Sequence, residues 1–218
     1  MSGKEILTPS IDRSRLVPPA IPASSISRKH LFHLFETDLP GVTVVAAPAG
    51  FGKSSLVSQW AQTVDRPTVW LTVDPQDSMQ SFFAHVLESI RMVFPGFASD
   101  FEKEPSPNAL HNIKKLTAAV GEIKSGFNFV LNNGALDNAQ VTDFSQDLID
   151  HLPDNVHLVI IRRFTPATSL ARYASLGNLS LITSQDLKFS PEEVCRIADL
   201  NGADIDKLLR AKILNLDW

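Results

Sequence analysis

One short segment constrains the fold of this chain more than any other, because it joins a strand, a glycine-rich turn and a helix without a break. Residues 42–55 read V-T-V-V-A-A-P-A-G-F-G-K-S-S. The β-branched apolar run at its start is typical of a buried strand, and the apolar residues after it (56, 57, 60 and 61) recur at helical spacing. A strand followed at once by a helix predicts an α/β unit.

The turn in this segment has the composition of a phosphate-binding loop. Its end fits the pattern G-x-x-x-x-G-K-S/T, with Ala47 in place of the first glycine. In such loops the glycines let backbone N–H groups point at phosphate oxygens, and the helix N-terminus favours their negative charge. The lysine reaches the terminal phosphates, and the serine hydroxyl can ligate Mg²⁺. The residues predicted to contact a nucleotide are Ala49, Gly50, Phe51, Gly52, Lys53, Ser54 and Ser55, and Ser54 is also the candidate Mg²⁺ ligand.

The same residues have a plainer interpretation, namely a glycine-containing turn with an incidental Lys-Ser pair. The strand before the turn and the amphipathic helix after it favour phosphate binding, both for the loop and for Lys53. For Ser54 the two interpretations, metal ligand and simple helix-start hydroxyl, stay open.

Composition and charge exclude several classes of protein. With 218 residues, 44% of them hydrophobic, the chain can form one substantial α/β domain with a small appendage. The formal net charge of −4 and the scattered basic residues argue against direct nucleic-acid binding. Cys195 is the single cysteine, so an intrachain disulfide is excluded, and its apolar helical surroundings predict a buried thiol. The sequence has no signal-like or membrane-spanning run, and we expect a soluble cytoplasmic protein without membrane contact.

Strands alternate with helices along the rest of the chain. Predicted strands cover 42–47, 68–73, 127–131, 156–161 and 179–183. Helices are expected after a Ser27 cap, over 53–64, after an Asp77 or Ser78 cap, over 108–124 and 141–151, and as two short helices around Asn201-Gly202. This alternation predicts a parallel sheet covered by helices on both faces. We expect three regions: an extended segment 1–25, a nucleotide-binding domain 26–190, and a helical extension 191–218.

Several blocks of residues, in order and at characteristic distances, resemble the signal-transduction ATPases with numerous domains (STAND). The nearest group is the N-terminal nucleotide-binding domain of maltose-activator and LuxR-type bacterial regulators. The resemblance covers nearly the whole chain, from about Leu16 to Trp218. Its blocks are I-S-R-K-H-L from residue 26, A-P-A-G-F-G-K-S-S from 47, W-L-T-V-D from 70, the Arg163 to Arg172 stretch, and D-L-K-F-S from 186.

The resemblance implies a P-loop NTPase fold, a three-layer α/β/α architecture with a five-stranded parallel sheet in the order 5-1-4-3-2. It also implies ATP or ADP as the ligand, with Mg²⁺, and other protein domains or subunits as partners. Arg28 would lie beside the base, and Arg163 would sense the γ-phosphate. For Arg28 a simple structural salt bridge remains an equal alternative, and Arg163 has the alternative of an ordinary surface arginine.

Two departures from the family pattern bear on activity. The third strand of the family ends in two acidic residues, the first holding Mg²⁺ through water and the second polarising the attacking water; here Asn132 and Asn133 stand in their place. An asparagine supplies no negative charge and no general base. Arg162 stands where a serine is usual. Together these changes remove two negative charges and add one positive charge, so they favour binding of an anionic nucleotide with less help from Mg²⁺. A shifted strand register would instead bring a carboxylate such as Asp137 to the site.

We therefore expect a nucleotide-binding switch domain of a bacterial regulator with weak or absent hydrolysis. The alternative is a pseudo-NTPase scaffold that does not cycle nucleotide; a small-molecule kinase is disfavoured, since no phosphoacceptor site is recognisable. The chain ends about where the family's lid region begins, so it is either part of a larger regulator or a short paralogue.

Overall fold

The computed structural model describes residues 10–98, 109–132, 146–164 and 170–202. Within these residues five strands form one sheet: β1 (Gly41–Ala46), β2 (Thr68–Thr72), β3 (Phe127–Asn132), β4 (Val156–Arg162) and β5 (Leu179–Thr183). Each observed strand agrees with its predicted range to within one residue. The agreement follows from the strongly apolar, β-branched character of these runs, which suits strands buried on both faces.

The strand order is β2-β3-β4-β1-β5, and every neighbouring pair is parallel. This is the predicted order 5-1-4-3-2 read from the other edge, so the prediction is confirmed. β1 is central, with Val44 opposite Ile160 of β4 on one side and Leu181 of β5 on the other. The loop that follows β1 therefore lies in the middle of the carboxyl edge of the sheet, where α/β folds bind ligands.

Six α-helices connect or flank the strands in the described residues: α1 (Lys53–Ala61), α2 (Met79–Val93), α3 (Ala109–Gly121), α4 (described over 146–150), α5 (Ala171–Ser175) and α6 (Pro191–Leu200). Ser78 caps α2, as one of the two predicted caps, through a hydrogen bond from the Ser81 N–H at 3.1 Å. α6 ends just before Asn201, at the predicted break.

Some local predictions were wrong. Ser27 does not cap the helix after it, because Arg28 occupies the cap position of a 3-10 helix, Lys29–Phe35. The segment predicted as extended contains another 3-10 helix, Arg13–Leu16, whose cap is Asp12. The short helix α5 was not predicted. Residues 99–108 and the second helix predicted for the tail lie outside the described residues.

Hydrophobic side chains pack on both faces of the sheet. One face is covered by α2, α3, α4 and the 3-10 helix Arg13–Leu16, and its largest buried side chains include Phe82, Phe83 and Phe127. The other face is covered by α1 and the 3-10 helix Lys29–Phe35, where Trp60 stacks on Phe35 with ring centroids 4.7 Å apart. Two packed faces around one sheet make the predicted three-layer α/β/α architecture, which anchors β1 and α1 and so fixes the loop between them.

A row of buried polar side chains crosses the second face near the amino edge of the sheet. His157 Nε2 lies 2.8 Å from Thr43 Oγ1, and its Nδ1 lies 3.2 Å from Asn128 Oδ1. Asn128 Nδ2 in turn donates to Thr68 Oγ1 at 3.1 Å. This polar row therefore links β1, β4, β3 and β2 in sequence. Since the Asn128 amide donates to Thr68, its oxygen accepts from His157 Nδ1–H, and His157 Nε2 accepts from the Thr43 hydroxyl.

Candidate phosphate-binding site

The loop between β1 and α1 takes a conformation that requires glycine at two positions. Gly50 has φ 88° and Gly52 has φ 70°, both in the left-handed region that other residues avoid. Gly52 is the N-cap of α1, and its carbonyl accepts the first helical hydrogen bond, from Leu56 N at 2.9 Å. A Cβ built at either glycine would meet no heavy atom of the described residues within 4 Å. The glycines therefore serve the backbone conformation, and the loop presents backbone to the carboxyl edge of the sheet.

Lys53 begins α1 and is held inside the loop. Its side chain is only 7% exposed, and Nζ donates to the carbonyl oxygen of Pro48 at 2.7 Å. Burial lowers the pKa of Lys53, and the positive charge of Arg163 lowers it further. Burial removes water from the Lys53 ammonium and the Arg163 charge repels it, and a negatively charged group beside Lys53 would offset both effects. The charge distribution thus favours a negatively charged ligand at this loop.

The end of β4 lies beside the start of the loop. Ala46 pairs with Arg162, and Ala47 N donates to the Arg162 carbonyl at 3.3 Å. Arg163 follows at the surface, and its charge acts on Lys53. The charges of Lys53 and Arg163 thus interact, with Arg162 at the adjoining strand end, and a contact of Arg163 with the γ-phosphate stays a prediction. Pro166, another residue of that block, lies outside the described residues.

Asn132 ends β3 directly opposite the first turn of α1. The Ser54 hydroxyl lies 3.5 Å from Asn132 Oδ1, a long hydrogen bond, and Asn132 Nδ2 lies 3.5 Å from Thr72 Oγ1. Thr72 Oγ1 also accepts from the indole nitrogen of Trp70 at 3.0 Å. An amide, not a carboxylate, thus faces the Ser54 hydroxyl. Asn133 and Asp137 lie outside the described residues.

The backbone around this strand end is well fixed. Val73 N donates to the Asn132 carbonyl at 3.0 Å, and Arg15 Nε donates to the Thr72 carbonyl at 2.8 Å. The Arg15 guanidinium also pairs with Asp77. Burial acts to raise the pKa of Asp77, but hydrogen bonds from Arg15, the backbone of Asp74 and Ser81 outweigh it and hold the pKa below its usual value. The contacts of Arg15 with Thr72 and Asp77 could not be predicted from the sequence, because Arg15 lies 62 residues from Asp77.

Arg28 is buried and bound to the segment before α6. Its guanidinium donates to the carbonyls of Leu187 and Lys188, each at 2.9 Å, and to Glu193 at 3.2 Å. It also lies 4.7 Å from the centre of the Phe189 ring. The structure thus contains the salt bridge that was the structural alternative for this residue. A contact between Arg28 and a nucleotide base stays a prediction.

The remaining predicted contact residues are distributed along the loop and the first turn of α1. Ala49, Gly50 and Ser55 are exposed, whereas Phe51 and Ser54 are half-buried. Ser55 and Ser54 belong to α1, so their backbone N–H groups lie at its N-terminus, where anions are favoured. Sequence reasoning missed Thr72 and Pro48 as partners at this site. The sequence did contain one indication of the contact between Thr72 and Trp70: the two residues are two positions apart in β2, so their side chains lie on the same face of the sheet.

Two features are absent from the residues that the structure describes. No group of three or more His, Cys, Asp and Glu side chains in ranges 10–98, 109–132, 146–164 and 170–202 is arranged to hold a metal ion. Over the same ranges, no helix combines the length and the apolar character needed to cross a membrane.

Known structures resemble this one in fold. A signal transduction ATPase with numerous domains (STAND) that carries a tetratricopeptide repeat sensor, from Pyrococcus horikoshii, superposes with a TM-score of 0.62 at 16% identity; the match covers 90% of this chain and 28% of that one. Cdc6p from Pyrobaculum aerophilum gives a TM-score of 0.50 at 14% identity, covering 87% of this chain and 54% of that one. No family model matches the sequence. These likenesses show the α/β fold of P-loop NTPases, and this chain spans less than a third of the length of the STAND structure.

Proposed function

We propose that this chain is the nucleotide-binding switch domain of a bacterial signalling regulator, that it binds ATP or ADP at the loop 47–55, and that it hydrolyses nucleotide weakly or not at all. The observation that carries the proposal is the amide of Asn132 facing Ser54 at 3.5 Å, next to a loop with a buried Lys53. The loop suits phosphates, and Asn132 at the end of β3 supplies none of the charge that hydrolysis needs.

The loop residues supply the binding. The backbone N–H groups of residues 49–55 would donate to phosphate oxygens, since Gly50 and Gly52 hold the left-handed conformation that such a cradle requires. Lys53 would exchange its bond with the Pro48 carbonyl for a phosphate, and Arg163 would contact the terminal phosphate. Ser54 is the candidate ligand for Mg²⁺, which when bound would neutralise phosphate charge.

The strand end limits the chemistry. Asn132 can accept a hydrogen bond, but an amide neither offsets a divalent charge nor takes a proton from water. Asn133, as the next residue, would leave the attacking water without a base in the same way. Weak hydrolysis follows from the loss of both carboxylates.

A structural connection supports the idea of a switch. Gln59 of α1 accepts from the backbone N–H of Arg28 at 3.0 Å and donates to the Ile26 carbonyl at 2.8 Å. Arg28 in turn holds Glu193 of α6. The helix that begins at the phosphate loop is thus linked, through one arginine, to the helix that begins the C-terminal extension. In this proposal 26–190 form the nucleotide-binding unit, and 191–218 lead towards partner domains.

Other parts of the proposal concern the protein in the cell. We propose that it acts in the cytoplasm as part of transcription control, and that its partners are other protein domains or subunits. The net charge of −4 favours regulation through those partners over direct contact with nucleic acid.

Calorimetric titration of nucleotide-free protein tests the binding. We expect micromolar dissociation constants for ATP and ADP, with Mg²⁺ changing each by less than about tenfold, which corresponds to about 1.4 kcal/mol. Lys53→Ala should abolish binding, whereas Lys124→Ala, at an exposed lysine in the loop before β3, should not. Failure of wild-type protein to bind in any condition would favour the pseudo-NTPase scaffold instead.

A second experiment tests the account of hydrolysis. The double variant Asn132→Asp, Asn133→Asp restores both carboxylates and should raise Mg²⁺-dependent phosphate release well above that of wild type. Lys53→Ala in the same background should remove the gain, which controls for a contaminating ATPase. Equal rates in wild type and the double variant would contradict the proposal that the asparagines disable the site.

A further inference from the structure

The side chain of Asn132 is held by a chain of hydrogen bonds that runs away from the phosphate loop. Trp70 Nε1 donates to Thr72 Oγ1 at 3.0 Å, and the same oxygen receives Asn132 Nδ2 at 3.5 Å. On its other side, Asn132 Oδ1 faces the Ser54 hydroxyl at 3.5 Å. Trp70 is 1% exposed, so the far end of this chain is anchored in the core.

The surroundings of the amide favour one orientation. Thr72 Oγ1 accepts from Trp70 with one lone pair and from the Asn132 amide nitrogen with the other, and because a hydroxyl can also donate, this bond holds the nitrogen end of the amide without selecting it. Ser54 is the second residue of α1, and the partial positive charge of the helix N-terminus favours the oxygen end of the Asn132 dipole on that side. The helix N-terminus therefore places the amide oxygen next to Ser54, and Thr72 holds the nitrogen end on the other side.

We infer that Thr72, itself held by Trp70, is a positioning residue that anchors the nitrogen end of the Asn132 amide, so that the carbonyl oxygen stays towards Ser54 and the site presents a neutral acceptor at the place expected for a carboxylate. The inference rests on the proposed nucleotide site and specifies how that site treats a divalent cation. An amide oxygen can accept from metal-bound water, whereas an amide nitrogen in its place would repel the cation. The orientation therefore sets how much Mg²⁺ tightens nucleotide binding.

The sheet supplies a matched control for this arrangement. At the opposite end of the same two strands, on the same face, Asn128 Nδ2 donates to Thr68 Oγ1 at 3.1 Å. Thr68→Val therefore removes a threonine hydroxyl from an equivalent Asn–Thr pair that is remote from Ser54. Any general effect of replacing a terminal threonine of β2 with valine should appear in both Thr68→Val and Thr72→Val.

The orientation can be measured in the free protein without nucleotide. We expect nuclear Overhauser effects from the Asn132 side-chain amide protons to the Thr72 methyl and β protons, with Asn132→Asp identifying the amide signals by their loss. Stronger effects to the Ser54 β protons would show the opposite orientation and overturn the inference.

Binding measurements test the consequence. For each variant the ratio of the ATP dissociation constant in EDTA to that in Mg²⁺ is compared. We expect about fivefold tightening by Mg²⁺ in wild type, the size of one hydrogen bond, and a ratio near one in Thr72→Val. Thr72→Ser, which keeps the hydroxyl, and Thr68→Val should both retain the wild-type ratio, whereas Asn132→Asp should raise it.

The outcomes separate the inference from the function that it rests on. A Thr72→Val ratio equal to that of wild type, or the same loss in Thr68→Val, would refute positioning by Thr72 while leaving nucleotide binding intact. Absence of ATP binding in the wild-type protein would refute the proposed function, and the nuclear Overhauser measurement would still decide the orientation of Asn132.

Discussion

Acidification is expected to destabilise this protein through one buried side chain, His157. Burial of the imidazole, with a smaller contribution from the charge of Arg66, lowers the pKa of His157 from 6.5 to about 4. The unfolded chain therefore takes up this proton at a higher pH than the folded protein does. The neutral His157 side chain contributes fully to the free energy of unfolding above pH 6.5. This contribution falls as the pH approaches 4, and below that pH it is lost.

The size of the effect follows from the two pKa values. The interval between 6.5 and about 4 corresponds to about 3 kcal/mol. About 2 kcal/mol of this should already be lost by about pH 5, because the unfolded state is then almost fully protonated at this residue while the folded state is not. That is a large share of the stability of an ordinary domain.

Urea unfolding followed by circular dichroism, between about pH 7.5 and about pH 4, measures this loss. His157→Gln keeps a polar side chain but removes the titration, so its stability should vary less with pH over this interval. His151→Gln, at an exposed histidine, should keep the wild-type pH dependence. Carboxylates titrate in all three proteins, and the difference between the wild type and His157→Gln isolates the buried imidazole.

One result would refute the reasoning. If the pH dependence of wild type and His157→Gln differs by less than about 0.5 kcal/mol, the imidazole is not kept neutral by burial. A carbon-detected titration of the imidazole in the folded protein gives an independent value, and a pKa near 6.5 would lead to the same conclusion.

Three further substitutions test other features of the fold. Gly52→Ala should lower the free energy of unfolding by about 1–2 kcal/mol, because φ at Gly52 is 70°. Gly121→Ala, at the end of α3, should be neutral or stabilising. An equal effect of the two substitutions would contradict the argument from backbone strain. Arg28→Met should cost about 3–5 kcal/mol in urea unfolding, since it removes the positive charge beside Glu193 and the donor of two carbonyls. Glu193→Gln should rescue part of the loss, and full stability in the single variant would argue against this salt bridge. Ser190→Ala should cost about 1 kcal/mol through loss of the α6 capping box, and an unchanged melting curve would count against it.

The sequence was sufficient to predict the elements whose signal is local. The five strands are short apolar runs between polar turns, and their alternation with helices indicated a parallel sheet. Cys195 was predicted to be buried and is 6% exposed. The conformation of the loop could be inferred because Gly50 and Gly52 are needed for positive φ.

The features that were missed depend on contacts between distant residues or on very short elements. α5 has only five residues, too few to show a helical period. The sequence left two equal interpretations for Arg28, contact with a base and a salt bridge. Only the fold reveals that Glu193, 165 residues away, lies within hydrogen-bond distance of the Arg28 guanidinium. Likewise, nothing in the spacing of the histidines indicated that His157 would meet Asn128 and Thr43, because their strands come together only in the sheet.

The polar row on β1, β4, β3 and β2 bears on which pairing of strands the chain adopts. Sliding β3 by two residues against β4 would return every apolar side chain to its own face, so hydrophobic burial alone discriminates weakly between such arrangements. The slid pairing would set Asn128 opposite an apolar neighbour and leave His157 without its acceptor, at about 1–3 kcal/mol for each buried group. An all-apolar replacement of the row would be expected to fold into more than one pairing even if it gained stability. The row as a whole thus selects a single pairing of the strands.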